Sequence, residues 1–224
     1  MCAPNDEGIV MQAERYFGTY ARFETASKRE AAALLGADNL VGDMFEIVFE
    51  TEADTSVAWL RNRFGGMIGY FDTETSRTLN VLSARGWNLH AILSFVAFSD
   101  SPKPGYYWGQ AALLCFDKKY KQAFDIFLKN ISKRLAGGVR PDISLGEQGI
   151  EKVIESGGVW TPKDTVKLPP KEEGTAIVKD SRKFSEKLIE QSRQGNKGCY
   201  AASWVLLLGI VALILFSLKT CGVI

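Results

Sequence analysis

Hydrophobic and polar positions follow two periods along the chain, and the last hydrophobic run follows neither. Tyr16 to Phe23 (YFGTYARF) is aromatic-rich with Thr19 and Arg22 interspersed, as in a strand. SKREAAALLGA, residues 27–37, reads as a helix. Ser27 stands as N-cap, Glu30 completes a capping box three residues on, and Gly36 ends the helix. Met44 to Glu50 alternates as a strand, with Phe45, Ile47 and Phe49 on one face and Glu46 and Glu50 on the other. SVAWLRNRF, Gly65-Gly66 and MIGYF read as a hairpin, with a short helix over 57–64 as the alternative. Asp72 caps a helix over 73–85 that carries Leu79 and Leu82 and stops at Gly86. Strands at 88–98 and 106–116 flank the loop SDSPKPG. After Asp117, the residues Tyr120, Phe124, Phe127, Leu128, Ile131 and Leu135 recur at spacings of three and four, which predicts a helix over 118–136. VRPDISL is extended, and GEQGIEKVIES predicts one more short helix.

The exceptional run is Gly198 to Leu218, GCYAASWVLLLGIVALILFSL, which holds no charged side chain. At 1.5 Å per residue these roughly 20 positions span about 30 Å as a helix, the thickness of a bilayer's hydrocarbon core. The expected organisation is a disordered start at 1–14, a soluble α+β domain at 15–157, a Pro- and Lys-containing linker with a basic juxtamembrane segment at 158–197, a transmembrane helix at 198–218 and a short tail at 219–224. The soluble part comprises a β core over 15–117 and a helical extension over 118–157.

Composition adds compartment and narrows chemistry. The chain has 224 residues, 46% of them hydrophobic, and a formal net charge of +1, which exerts no global pull on nucleic acid or anionic lipid. Its four cysteines form no CxxC pair, so a reducing compartment is expected rather than a disulfide framework or zinc site. The N-terminal stretch has no basic region followed by an apolar one, and Lys179, Arg182, Lys183, Lys187, Arg193 and Lys197 precede the span while Lys219 alone follows it. Basic residues gather on the cytoplasmic side, so a tail-anchored domain facing the cytoplasm is expected, with the lipid bilayer as one partner.

Residues 52–93, EADTSVAWLRNRFGGMIGYFDTETSRTLNVLSARGWNLHAIL, resemble the HIRAN family. Asp54 takes the family's acidic position at the opening of a strand. Val57, Ala58 and Leu60 supply the strand's apolar positions, Gly65 the turn, Ile68-Gly69-Tyr70-Phe71 the second strand, and Thr73 to Arg85 the helix. YFGTYARF and DMFEIVFE fall where the family has its first two strands, and 88–116 where its barrel closes, so the resemblance covers about 14–118. This chain has Thr51-Glu52-Ala53 in place of the usual Asn-Pro, and the segment SKREAAALLGA is inserted. The resemblance implies a small OB-like β-barrel with helices outside. It also implies a grip on free 3′ ends of single-stranded DNA by aromatic stacking and an acidic contact, hence nucleic acid as a ligand.

The one histidine, His90, lies in an alternating strand, and no HExxH, GxSxG or Walker loop occurs. GGMIG reads as turn chemistry, and Cys115 in LLCF as core. No catalytic residue, metal or cofactor is expected. Ligand-binding candidates are Asp54, Tyr70, Tyr106, Tyr107 and Trp108, since exposed aromatics on a barrel strand stack bases or anchor a protein partner. A basic face of Lys118, Lys119, Lys121, Lys129, Lys133 and Arg134 is matched within its helix mainly by Asp125; it suits phosphates, anionic lipid or plain solvent. The expected architecture is a small bent antiparallel sheet or OB-like barrel with flanking helices and a C-terminal span. The competing topology, a ferredoxin-like split unit, places Trp59 and Leu60 in a helix. Function stays open among a non-enzymatic binding module, an enzyme with an unrecognised site built on His90, Asp54 or Cys115, and a structural or adaptor subunit of a membrane complex.

Overall fold

The computed structural model describes residues 14–52, 55–170, 173–183 and 186. Two compact units divide the chain, Met1–Arg182 and Lys183–Ile224. Every strand and helix below belongs to the first; of the second, Lys183 and Glu186 are described, with the Lys183 amide donating to the Glu186 carboxylate at 2.8 Å. The expected start at 1–13 and the apolar run 198–218 lie outside the described residues. Among the described residues no helix is long and apolar enough to cross a membrane.

The elements run β1 (Tyr16–Glu24), α1 (Lys28–Leu35), β2 (Met44–Glu52), β3 (Thr55–Arg61), β4 (Met67–Phe71), α2 (Thr73–Ala84), β5 (Asn88–Ser99), β6 (Tyr106–Phe116), α3 (Lys121–Ala136), α4 (Glu147–Glu155) and β7 (Thr175–Lys179). β1 pairs with β4 and β6, β6 with β5, β5 with β2, β2 with β3, and β3 with β4, all antiparallel. Each pairing leads to the next until the sheet meets itself, so six strands close into an OB-like barrel with helices around it. Trp59 and Leu60 lie in β3, paired with Val48 and Ile47, which removes the ferredoxin-like alternative.

Local chemistry sets the connections. Ser27 and Glu30 form the capping box that opens α1. The Asp72 side chain accepts the Thr75 amide at 2.7 Å to start α2. Gly65, at φ +80, supplies the left-handed turn between β3 and β4 that a side chain would strain. Asp117 caps a single 3-10 turn, Lys118–Tyr120, rather than the helix itself, and α3 begins one turn later than its sequence pattern suggests.

Closing the barrel sorts side chains by strand period. Phe23, Phe45, Leu60, Ile68, Phe71, Leu93, Leu113 and Cys115 fill the interior together with Leu34 of α1 and Leu79 and Leu82 of α2. On the opposite face of β1, β5 and β6, Tyr16, Ile92, Leu114 and Phe116 meet Phe124, Phe127, Ile131 and Leu135 of α3, with Ile150 and Val153 of α4 behind. The β5–β6 pair is therefore buried on both faces, which is why AALLCF carries no polar alternation. β5 also changes partner along its length. Ala91 and Ile92 pair with β2, the register slips at Ser94, and Val96 to Ser99 pair with β7. The stretch read from sequence as linker thus contributes a seventh strand on the second half of β5.

Candidate ligand-binding site

The aromatic triplet at the start of β6 divides between two sides of one strand. Tyr106 and Trp108 point outward, and Tyr107 points the other way to pack on Phe98, with ring centroids 4.8 Å apart. An open groove of about 480 Å³ runs beside Tyr106 and Tyr107, between Phe98 and Pro104 on one wall and Ala31, Ala32 and Leu35 of α1 on the other. The N-terminal turn of α1, with Ser27 and exposed Lys28, forms its end. Thr25 ties the edge together, its hydroxyl donating to the Tyr107 carbonyl at 2.9 Å.

Trp108 faces a second cleft. Its Nε1 donates to the Ser99 hydroxyl at 3.0 Å, Ser99 in turn bonds Thr175 of β7, and Phe95 meets its ring edge-on at 5.4 Å. The Arg22 guanidinium lies 4.1 Å from the Trp108 ring centroid. Its Nη2 donates to the Tyr106 hydroxyl at 2.8 Å and pairs with Glu24 at 3.1 Å. The stacking is worth about 0.5–2 kcal/mol. Arg22 Nε is buried with no acceptor among the described residues, a state that costs about 1–3 kcal/mol for such a donor.

Tyr70 belongs to the same outward row. It pairs in register with Trp59 on one side and Glu24 on the other, and Glu24 also pairs with Trp108, so β3, β4, β1 and β6 present Trp59, Tyr70, Glu24 and Trp108 side by side. The Trp59 and Tyr70 ring centroids are 5.2 Å apart. Asp54 lies outside the described residues. Of the sequence candidates, Tyr106, Tyr107, Trp108 and Tyr70 thus gather around one end of the barrel. Arg22, Glu24 and Trp59 join them there; their only sequence signal was their place in alternating strands.

Next to Arg22 in the sheet, Gln110 accepts from Nη2 of Arg140 at 2.5 Å. Arg140 is 7% exposed and also donates to Ser94 Oγ. Its guanidinium lies over Tyr20 at 4.3 Å and near Phe95 at 5.3 Å, and no carboxylate pairs with it among the described residues. Burial lowers its pKa from the usual arginine value, partly offset by Tyr20.

The proposed basic face is discontinuous. Lys121 pairs with Asp125, Lys119 sits 3.8 Å from Asp117, and Arg134 turns inward to the Pro162 carbonyl, leaving Lys118, Lys129 and Lys133 exposed along the helix and its first turn. His90 stacks on Phe116 at 5.5 Å, and burial lowers its pKa, with Asp125 opposing and Lys121 reinforcing the shift. Cys115 is wholly buried in the barrel, where burial pushes its thiol up to about 12. His90 and Cys115 are neighbours across β5 and β6 but line opposite faces, so they form no acid–base pair. Among the described residues no group of histidine, cysteine and carboxylate side chains is arranged to hold a metal.

Comparison with protein-family models, curated proteins and solved structures returned no match. The structure therefore defines a class, a closed six-stranded antiparallel barrel with an aromatic-lined end, and reading its function rests on this chain's own residues.

Proposed function

We propose that the chain is a membrane-tethered, non-enzymatic binding module of the HIRAN-like type, facing the cytoplasm and holding single-stranded nucleic acid at the Tyr106–Tyr107 groove. The observation that carries this reading is the groove itself. Two half-buried tyrosines stand beside exposed Lys28, next to the turn closed by the Ser27–Glu30 capping box, which sets aromatic side chains for bases near one positive charge for phosphate. The OB-like barrel and the residues resembling that family support the same ligand. The uncharged run 198–218 and the basic residues before it support the tether.

A protein partner is the second reading, favoured by the apolar walls of the groove, Ala31, Ala32, Leu35, Phe98 and Pro104. Titrating residues 1–182 with short single strands bearing free or blocked 3′ ends separates the two. Salt-dependent binding that weakens on blocking the end and on Tyr107→Ala supports nucleic acid. No binding at low salt overturns it and leaves the partner to cross-linking in the membrane. The tether is tested apart: the full chain is expected to resist carbonate extraction, and its release by carbonate overturns the span.

A further inference from the structure

The cleft beside Trp108 lies across β6 from Tyr107, and the proposed nucleic-acid reading touches it only through Tyr106, which lines the groove and bonds Arg22. Its cavity is about 130 Å³, enough for a small group rather than a polymer. Trp108, Phe95 and Ala97 form its floor, Ile177 of β7 a wall, and Pro169 and Pro170 the roof. Into this apolar pocket the chain brings Arg22 and Gln110, neighbours in register. Arg22 is fixed by the Trp108 ring beneath it and by Tyr106 and Glu24 on Nη2, while its Nε keeps a buried proton with no acceptor among the described residues. Behind Gln110, Arg140 adds a second positive charge with no carboxylate partner among the described residues, and its Nε is likewise buried without an acceptor.

We propose that this cleft is a binding site for a monocarboxylate with a short apolar body. A carboxylate entering the cleft meets a guanidinium set over an aromatic ring whose Nη2 is already held by Tyr106 and Glu24, so it is bound through a single charge-assisted hydrogen bond rather than a bidentate pair. The apolar floor and roof then take an aliphatic group of a few carbons. Glu24, already on Arg22, disfavours a dianion such as phosphate by like-charge repulsion, and the surplus charge of Arg140 favours a single negative charge. Two sources share this chemistry, a free short-chain acid and the C-terminal carboxylate of a peptide ending in an apolar residue.

The test uses the full-length chain in non-ionic detergent, with isovalerate and N-acetyl-leucine as probes and isovaleramide and N-acetyl-leucinamide as uncharged controls. Calorimetry measures affinity, and the Trp108 indole N–H resonance reports the site. The acids are expected to bind and shift that resonance, with each amide weaker by at least about tenfold. Arg22→Gln is expected to abolish the difference. Arg22→Lys, which keeps the charge but removes Nε, is expected to reduce it while the melting temperature holds. Binding of N-acetyl-leucine without isovalerate assigns the site to a chain terminus, and binding of both assigns it to small acids. Equal binding of acid and amide, no binding of either acid, or unchanged discrimination in Arg22→Lys overturns the proposal. Because these probes carry no base or phosphate, the outcome is independent of the nucleic-acid titration.

Discussion

Arg182 pairs with Asp43 at 2.9 Å, the two side chains being only 11% and 15% exposed. The same guanidinium donates through Nε to the Val41 carbonyl at 2.6 Å, and the Arg182 amide donates to the Ala136 carbonyl at 2.9 Å. Three residues earlier, the Lys179 ammonium donates to the carbonyls of Leu34, Gly36 and Asn39 at 3.0–3.3 Å. The end of the barrel unit is thus fastened to the α1–β2 connection by two cations, in a stretch whose composition reads as linker. Removing Arg182 takes the ion pair from a nearly buried Asp43 carboxylate, which keeps the Leu40 amide on its other oxygen. Arg182→Met is therefore expected to destabilise residues 1–182 by about 3 kcal/mol, measured by urea unfolding. Lys129→Met, at an exposed position on α3, is expected to cost under about 0.5 kcal/mol, and a similar loss in both variants would refute the clasp.

His90 makes stability depend on pH on the acid side. Burial lowers its folded pKa below the ordinary 6.5, so the unfolded chain binds the proton more readily than the native one. At pH above 6.5 the imidazole is neutral in both states and no difference arises. As pH falls from 6.5 through the lowered folded value, the unfolded state gains the proton first, and stability is lost across that window. His90→Asn is expected to flatten that part of the urea-unfolding profile, and the imidazole resonance of the native protein should titrate with a midpoint below 6.5. A midpoint at or above 6.5 would contradict the burial.

Cys115 is expected to be inert in the folded protein. With its thiol pushed up to about 12, it carries no appreciable thiolate at neutral pH, and the barrel wall blocks access to it. In a Cys2→Ser, Cys199→Ser, Cys221→Ser variant, a thiol reagent such as DTNB should react only after unfolding in urea. Prompt labelling under native conditions would show that the β5–β6 interior opens readily.

The sequence by itself determined what depends on neighbours in the chain. The period of two in MFEIVFE, the capping box at Ser27 and Glu30, the Asp72 cap and the apolar stripe from Tyr120 to Leu135 each specify their element, because strand and helix periods are set by local backbone geometry. Phe45, Phe124 and Ile131 were legible as core for the same reason. Tertiary structure decided what depends on pairing across distance. TAIVK reads as part of a linker, and it becomes a strand by pairing with the second half of β5, which β2 leaves open because β2 begins at Met44 opposite Ile92. Tyr106, Tyr107 and Trp108 look like one patch in sequence, yet the two-residue strand period sends Tyr107 to a groove walled by α1 and Trp108 to a cleft under Pro169. Arg22 and Arg140, 118 positions apart, meet on either side of Gln110 only once β1 pairs with β6 and the chain after α3 folds back over the sheet. No local pattern encodes such a meeting, because the free energy that holds it comes from closing the barrel.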